Sequence, residues 1–323
     1  MQRILMVLVA FLTLPFSFAC KPVGDNMYEY EIVETSVVTG EYVLPAKFTI
    51  PKSEIRVPAV VMIHGSGPNN MDEAVGKLKM FEDLSVQLAK LGVASIRYDK
   101  RSLVYLDSLS TNFKFSIDDE VIGDALSAIN MLKKDDRIDK NGIYVLGHSF
   151  GGQLAPVIAN RDETIKGIII MAGTTQHIID LLMEQLKERG DPTYQLYLPW
   201  YEYFRNLKEV VPGEENYLFA GAYEKYWTTY NNLDLVAELL ECAQSKTILV
   251  MQGGKDLQVK AAQLNVYKEL LGSKALYQLY NNLNHCFVDG QNETWSTMYQ
   301  KSKDIPKEVV SDITNFLEQK NDQ

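Results

Sequence analysis

The chain has 323 residues, 46% hydrophobic and 23% charged, with a formal net charge of −10 at pH 7. That length holds one large α/β domain with an insertion, or two small domains. The acidic balance, with no Lys/Arg-rich stripe to offset it, argues against binding to a phosphate backbone, and three cysteines are too few for a disulfide scaffold.

The chain opens with Met1-Gln2-Arg3, an apolar run over residues 4–18, and small residues before Cys20. The run is short for a membrane span and reads as a signal peptide over residues 1–19. Cys20 directly after the cut resembles a bacterial lipoprotein leader, which implies a lipidated cysteine, a membrane tether and an extracytoplasmic protein. Ser17 stands where that pattern usually has leucine, and plain cleavage after Ala19 is the competing expectation. Residues 20–27 read as a polar tether and 28–323 as the folded domain.

Residues 28–38 and 42–50, joined at Thr39-Gly40, show the β-branched and aromatic alternation of an antiparallel hairpin. Five apolar runs follow that suit buried parallel strands: 59–63, 93–98, 143–146, 167–171 and 247–251, with a sixth at 275–280. Helical patterns occupy 72–91, 118–134, 150–160, 258–272 and 304–319. Alternating strand and helix at this spacing predicts an α/β fold with an open, mostly parallel, doubly wound sheet. Residues 174–243 interrupt the alternation with helical character and no convincing strand. They read as an inserted helical cap. Aromatic residues crowd this cap; most are expected to pack it internally, with Trp200, Tyr201, Tyr226 and Trp227 the candidates to line a substrate pocket.

Gly147-His148-Ser149-Phe150-Gly151 matches G-x-S-x-G, with a strand before it and a helix pattern after it. This is the setting of a nucleophile elbow, a turn so sharp that a Cβ at the flanking positions clashes. A serine hydroxyl needs a base. Of four histidines, His64 ends an early strand, His148 lies inside the elbow, His177 sits in the cap, and His285 follows the last strand, where a base belongs. The base in turn needs an acid to fix its tautomer. Asp256, in Gly253-Gly254-Lys255-Asp256 directly after a strand, fits; Asp234 and Asp289 are weaker because neither follows a strand in this way. The oxyanion needs backbone N–H donors. Phe150 and Ser66 are the candidates, with Gly65 as the fallback.

The chain resembles α/β-hydrolases of the bacterial dienelactone-hydrolase-like and acyl-thioester-hydrolase-like group. The resemblance covers most of 58–320 and rests on His64-Gly65-Ser66-Gly67-Pro68, Arg97-Tyr98-Asp99-Lys100-Arg101, Gly147-His148-Ser149-Phe150-Gly151-Gly152 and Leu283-Asn284-His285. It implies the α/β-hydrolase fold and hydrolysis of an ester or thioester through an acyl-enzyme. It also implies a structural, bracing role for Asp99 and Arg101. Related members cleave peptides or transfer acyl groups, so no single substrate follows.

No dinucleotide fingerprint, phosphate-binding loop or zinc-ligand pattern occurs, so no metal or cofactor is expected. The expected function is a serine hydrolase acting on a small-molecule carboxylic ester, with no nucleic-acid partner. The alternatives are an exopeptidase on the same machinery and a non-catalytic binding protein that keeps the fold.

Overall fold

The computed structural model describes residues 27–210, 217–300 and 303–318. The signal-peptide and Cys20 expectations lie outside the described residues. Eight strands form one sheet: β1 (Tyr30–Thr39), β2 (Tyr42–Pro51), β3 (Val57–Ile63), β4 (Ala94–Tyr98), β5 (Ile138–His148), β6 (Gly167–Met171), β7 (Thr247–Gly253) and β8 (Leu276–Tyr280). Their spatial order is β1-β2-β4-β3-β5-β6-β7-β8. The hairpin β1/β2 is antiparallel, with Thr39 opposite Tyr42, and β2 joins β4 antiparallel; every later pair is parallel. This is the doubly wound sheet of the α/β-hydrolase fold.

The continuous apolarity of the parallel strands has a direct cause: both faces are covered. Val61, Ile63, Ile168 and Ile170 enter one core, and their neighbours Val60, Met62, Ile169 and Met171 enter the other, as a period of two requires. The second core is closed by α1 (Met80–Lys90), through Phe81, Leu84 and Leu88, and by α8 (Lys307–Glu318), through Val309, Ile313 and Phe316. The first is closed by α2 (Gly123–Lys134), α3 (Phe150–Asn160), α6 (Leu235–Ser245) and α7 (Gln263–Leu271). Each Ile, Leu or Phe so buried contributes roughly 1.5–3 kcal/mol.

Four helical patterns end up shorter or altered, that at 304–319 only in starting at Lys307. The pattern at 72–91 yields α1 only from Met80, because Ala74–Val75 and Leu78–Lys79 pair across a turn at Gly76-Lys77. That turn is stitched to a distant segment by Lys77 N–H donating to the Tyr299 carbonyl. The pattern at 118–134 starts as a π-helical turn over Asp118–Ile122 before α2. The pattern at 258–272 becomes helical only at Gln263. The Asp256 carboxylate accepts the Gln258 and Val259 N–H groups and holds that stretch out of the helix.

Between β6 and β7 lie α4 (Ile178–Arg189), short helical turns over Thr193–Tyr197 and Tyr201–Asn206, α5 (Glu224–Asn231) and α6. This region is not wholly helical: Leu218–Phe219 and Ala222–Tyr223 form a small hairpin turning at Gly221. Indole N–H of Trp227 donates to the carbonyls of Phe219 and Ala222 and pins it to α5. Among the described residues no helix is long and apolar enough to cross a membrane.

Candidate active site

The C-terminal ends of β3, β5, β7 and β8 deliver the candidate residues to one rim of the sheet. After β5 the chain turns through Ser149 at φ 53°, ψ −116° and enters α3. A non-glycine residue held there costs about 1–3 kcal/mol. The surroundings enforce it. Ser149 N–H donates to the Met171 carbonyl of β6 (2.8 Å), and a Cβ on Gly147 or Gly151 would stand 2.2 Å from the Gly151 or Ile63 carbonyl oxygen. The elbow is therefore clamped between β6 and the end of β3, and it presents Ser149 beside the first N–H groups of α3, which have no acceptor one turn back.

Asp256 reaches the same rim from the turn after β7. Its Oδ2 accepts from His285 Nδ1 at 2.7 Å and from Gln252 Nε2 at 3.1 Å, and its Oδ1 accepts from the Gln258 and Val259 N–H groups at 2.7 and 2.9 Å. Four donors on a 5%-exposed carboxylate fix its orientation completely. The glycines before it act by close approach: a Cβ on Gly253 would meet the Asn284 carbonyl oxygen at 2.5 Å. Gly254 and Lys255 N–H then donate to Tyr280 and Leu283, so the acid's turn and the histidine's loop are bound as one unit. That loop is closed by Asn284, whose N–H donates to Val288 while its Oδ1 accepts from Cys286 N–H. Because Nδ1 of His285 serves the carboxylate, Nε2 is the nitrogen left to act as a base.

The elbow and the His285 loop meet through His148. Its Nε2–H donates to the His285 carbonyl (2.9 Å), and the two rings lie 4.6 Å apart, centroid to centroid. On its other side His148 Nδ1 is 3.0 Å from Glu73 Oε1. Burial alone would lower His148, but the Glu73 charge and the hydrogen bonds outweigh it and raise its pKa above the ordinary value. Burial would likewise raise Glu73, and the His148 charge outweighs it in the opposite direction.

The loop after β3 lies against the elbow. A Cβ built on Gly65 would stand 3.3 Å from Ser149 Cβ and 3.7 Å from its Oγ. Gly65 N–H, the fallback oxyanion donor, is already committed to Glu73 Oε1 (2.6 Å). Asp99 accepts from Met71 N–H (2.7 Å), so it braces the loop after β3 rather than its own. Arg101 pairs with Asp124 of α2 and lies over the Tyr42 ring. The weaker acids are occupied elsewhere: Asp234 caps α6, and Asp289 is exposed, bridges to Leu283 and accepts from Gln291 N–H.

The four pocket candidates have other partners. Trp227 is buried in the cap and Tyr226 OH donates to Glu120 Oε2 (2.7 Å). Tyr201 OH donates to Asp180, and Trp200 is 43% exposed against Tyr203, Phe204 and Tyr217. The cap ring that touches the elbow is Tyr230, 5.7 Å from the Phe150 ring, with its OH on Gln153 Oε1. Among the described residues no group of three or more His, Cys, Asp or Glu is placed to hold a metal.

The profile of the prolyl oligopeptidase family matches residues 107–320, which carry Ser149, Asp256 and His285. The chain belongs to the prolyl oligopeptidase family. It is 33% identical over 289 residues to esterase EstD of Thermotoga maritima, covering 85% of this chain and 65% of that protein; the chain thus spans just under two thirds of that relative's length. Among solved structures it is similar to Est1E from Butyrivibrio proteoclasticus (TM-score 0.56, 14% identity, 88% of this chain and 99% of that one). It is also similar to a dienelactone hydrolase from Anabaena variabilis (TM-score 0.50, 17% identity, 90% and 97%). The resemblance to α/β-hydrolases of the dienelactone-hydrolase-like group is borne out at the level of the fold.

Three residues of this family member's site escaped sequence reasoning. Gln252 stands at the end of β7, four residues before the acid it holds, and its own side-chain N–H groups also reach the Val259 carbonyl. Glu73 lies nine residues after His64 with no motif around it, and Lys100, whose Nζ donates to the Gly65 carbonyl at 3.1 Å, sits between Asp99 and Arg101 in Arg97-Tyr98-Asp99-Lys100-Arg101. Their common signal is a charged or amide side chain in a stretch that should be apolar or a loop, which is weak in one sequence.

Proposed function

We propose that the protein is a serine hydrolase that cleaves carboxylic esters, or thioesters, through an acyl-enzyme. The observation that carries this reading is the 2.7 Å bond from His285 Nδ1 to a carboxylate that accepts four donors, on the same sheet rim as an elbow serine in a forced conformation. Ser149 Oγ attacks the carbonyl carbon and His285 Nε2 takes its proton. The negative oxygen of the tetrahedral intermediate is met by the N–H groups of Phe150 and Ser66. Collapse breaks the carbonyl–alkoxy bond, and His285 returns the proton to the leaving alcohol. Water then repeats the sequence on the acyl-enzyme, releasing the acid and restoring Ser149.

A panel of p-nitrophenyl esters of rising acyl length, with aromatic esters beside them, tests this in wild type and Ser149→Ala. Turnover abolished by the substitution supports it; turnover equal in both proteins refutes it. Fluorophosphonate labelling of Ser149 separates an enzyme from a non-catalytic binder of the same fold. A second reading, amide hydrolysis by an exopeptidase, is favoured by the family match itself. Aminoacyl and prolyl p-nitroanilides, compared with matched esters by kcat/KM, discriminate the two. We also propose from the leader that the protein is extracytoplasmic and tethered through Cys20. Labelling of wild type but not Cys20→Ala by a fatty-acid analogue tests it.

A further inference from the structure

The Gly65–Ser66 peptide is gripped on its carbonyl side. Lys100 Nζ donates to the Gly65 oxygen at 3.1 Å and Asn69 Nδ2 donates to it at 3.2 Å. Lys100 also fixes the same loop by its backbone, whose N–H donates to the Asn69 carbonyl at 3.0 Å. No cis peptide occurs among the described residues, so this peptide is trans, and its N–H, that of Ser66, points opposite to its C=O. Whatever holds the Gly65 oxygen therefore aims the Ser66 N–H. An ammonium on that oxygen also polarises the peptide and strengthens the N–H as a donor.

Lys100 is 2% exposed, and an ammonium so buried needs a counter-charge. Glu120, on the π-helical turn before α2, supplies it at 3.3 Å. The other oxygen of Glu120 accepts from Tyr226 OH at 2.7 Å, and Tyr226 is on cap helix α5. A chain of four groups thus runs from the cap to the oxyanion peptide without passing through solvent.

We propose that Lys100 is a positioning residue of the oxyanion hole, and that the cap reaches it through Tyr226 and Glu120. The inference rests on the reading of Ser66 N–H as an oxyanion donor and adds what orients it. Burial would raise the Glu120 carboxyl, but the Lys100 charge and hydrogen bonding, that of the Tyr226 hydroxyl included, outweigh it, so Glu120 remains the charged partner Lys100 needs. Tyr226, expected from the sequence to line the pocket, acts in this arrangement as a strut between cap and loop.

The test uses p-nitrophenyl acetate with wild type, Lys100→Met, the charge-balanced double variant Lys100→Met/Glu120→Gln, Tyr226→Phe and Ser149→Ala. Fluorophosphonate titration counts the competent serines, so that a loss of folded protein is separated from a loss of rate per site. Removing one oxyanion donor outright costs about 100- to 1000-fold in kcat. Misaiming it in either Lys100 variant is expected to lower kcat per titrated site about 10- to 100-fold, with KM within about threefold. The inhibition constant of an aryl boronic acid, which forms the tetrahedral adduct, is expected to rise by the same factor. A double variant with kcat per site and boronate affinity within about threefold of wild type overturns the proposal. For Tyr226→Phe, a fall in kcat at constant KM supports the cap connection. A rise in KM at constant kcat makes Tyr226 a substrate contact and overturns that connection. Full activity of Ser149→Ala would defeat the serine-hydrolase reading itself, a result the Lys100 variants do not produce.

Discussion

His64, at the end of β3, is enclosed by Phe81 and Tyr98, whose rings lie 5.2 and 5.5 Å from its own, and is 1% exposed. Burial, reinforced by the charges of Lys100 and His148, outweighs the pull of Glu73 and a backbone bond at Asn70 and lowers its pKa from 6.5 to about 4. The unfolded chain takes up a proton at this site below about pH 6.5, while the folded chain refuses it until about pH 4. Stability therefore falls as pH drops through that window. With these two values, linkage gives a loss of roughly 2 kcal/mol between pH 8 and pH 5, and ~3 kcal/mol by pH 4. Glu73 and Glu120, both held below their ordinary values, contribute stability above about pH 4.5 and lose it only in more acid solution. His148, raised by its partner, acts with the opposite sign: its contribution is full below about pH 6.5 and is lost as pH rises through its folded value. Urea unfolding of wild type and His64→Phe from pH 8 to pH 5, at constant ionic strength, isolates the His64 share. The stability difference between the two proteins is expected to move by about 2 kcal/mol in favour of the variant on acidification. Parallel pH profiles would show that His64 is not excluded from protonation in the folded protein.

Asp256→Asn leaves the turn's two backbone N–H groups an acceptor but frees the His285 tautomer; kcat on p-nitrophenyl acetate is expected to fall about 10⁴-fold with little change in Tm. Gly151→Ala places a methyl 2.2 Å from the Ile63 carbonyl oxygen and 2.6 Å from that of His64, two backbone groups that yield poorly. The expected loss is about 1–3 kcal/mol in chemical denaturation, with activity falling as the loop after β3 is displaced. Cys242, whose thiol burial pushes up to about 12, and Cys286, raised further by burial, are both fully enclosed. Both are expected to resist an aromatic disulfide reagent in the native state and to react in guanidinium, as read by peptide mass mapping; fast native modification of Cys286 would refute its enclosure.

The strands at 59–63, 167–171 and 247–251 were legible because a strand buried on both faces must be apolar at every position, and that requirement is local. The elbow was legible for a similar reason. Gly147 excludes a clash with the backbone of Gly151 and Gly152, a constraint written within the motif, while Gly151 answers to Ile63 and His64 at the end of the neighbouring strand. Helix limits were less so, because Gly76 and the Asp256 carboxylate redirect their neighbours through contacts with Tyr299 and with residues 258–259.

What the sequence by itself determined is the strand and helix order and the identity of the rim residues Ser149, Asp256 and His285, since short-range pattern and chain order suffice to select them. What only the tertiary structure decided is how those residues are held. The partners are far apart in the chain: Glu73 for His148, Lys100 for Gly65, and Tyr226 for Glu120, 106 residues away. A buried charge must be matched wherever the fold brings a partner, and no periodicity records that meeting. The same reason separates Tyr230, whose ring lies on Phe150 of the elbow, from Trp200, Tyr201 and Trp227, which pack within the cap, and from Tyr226, which reaches out of it to Glu120.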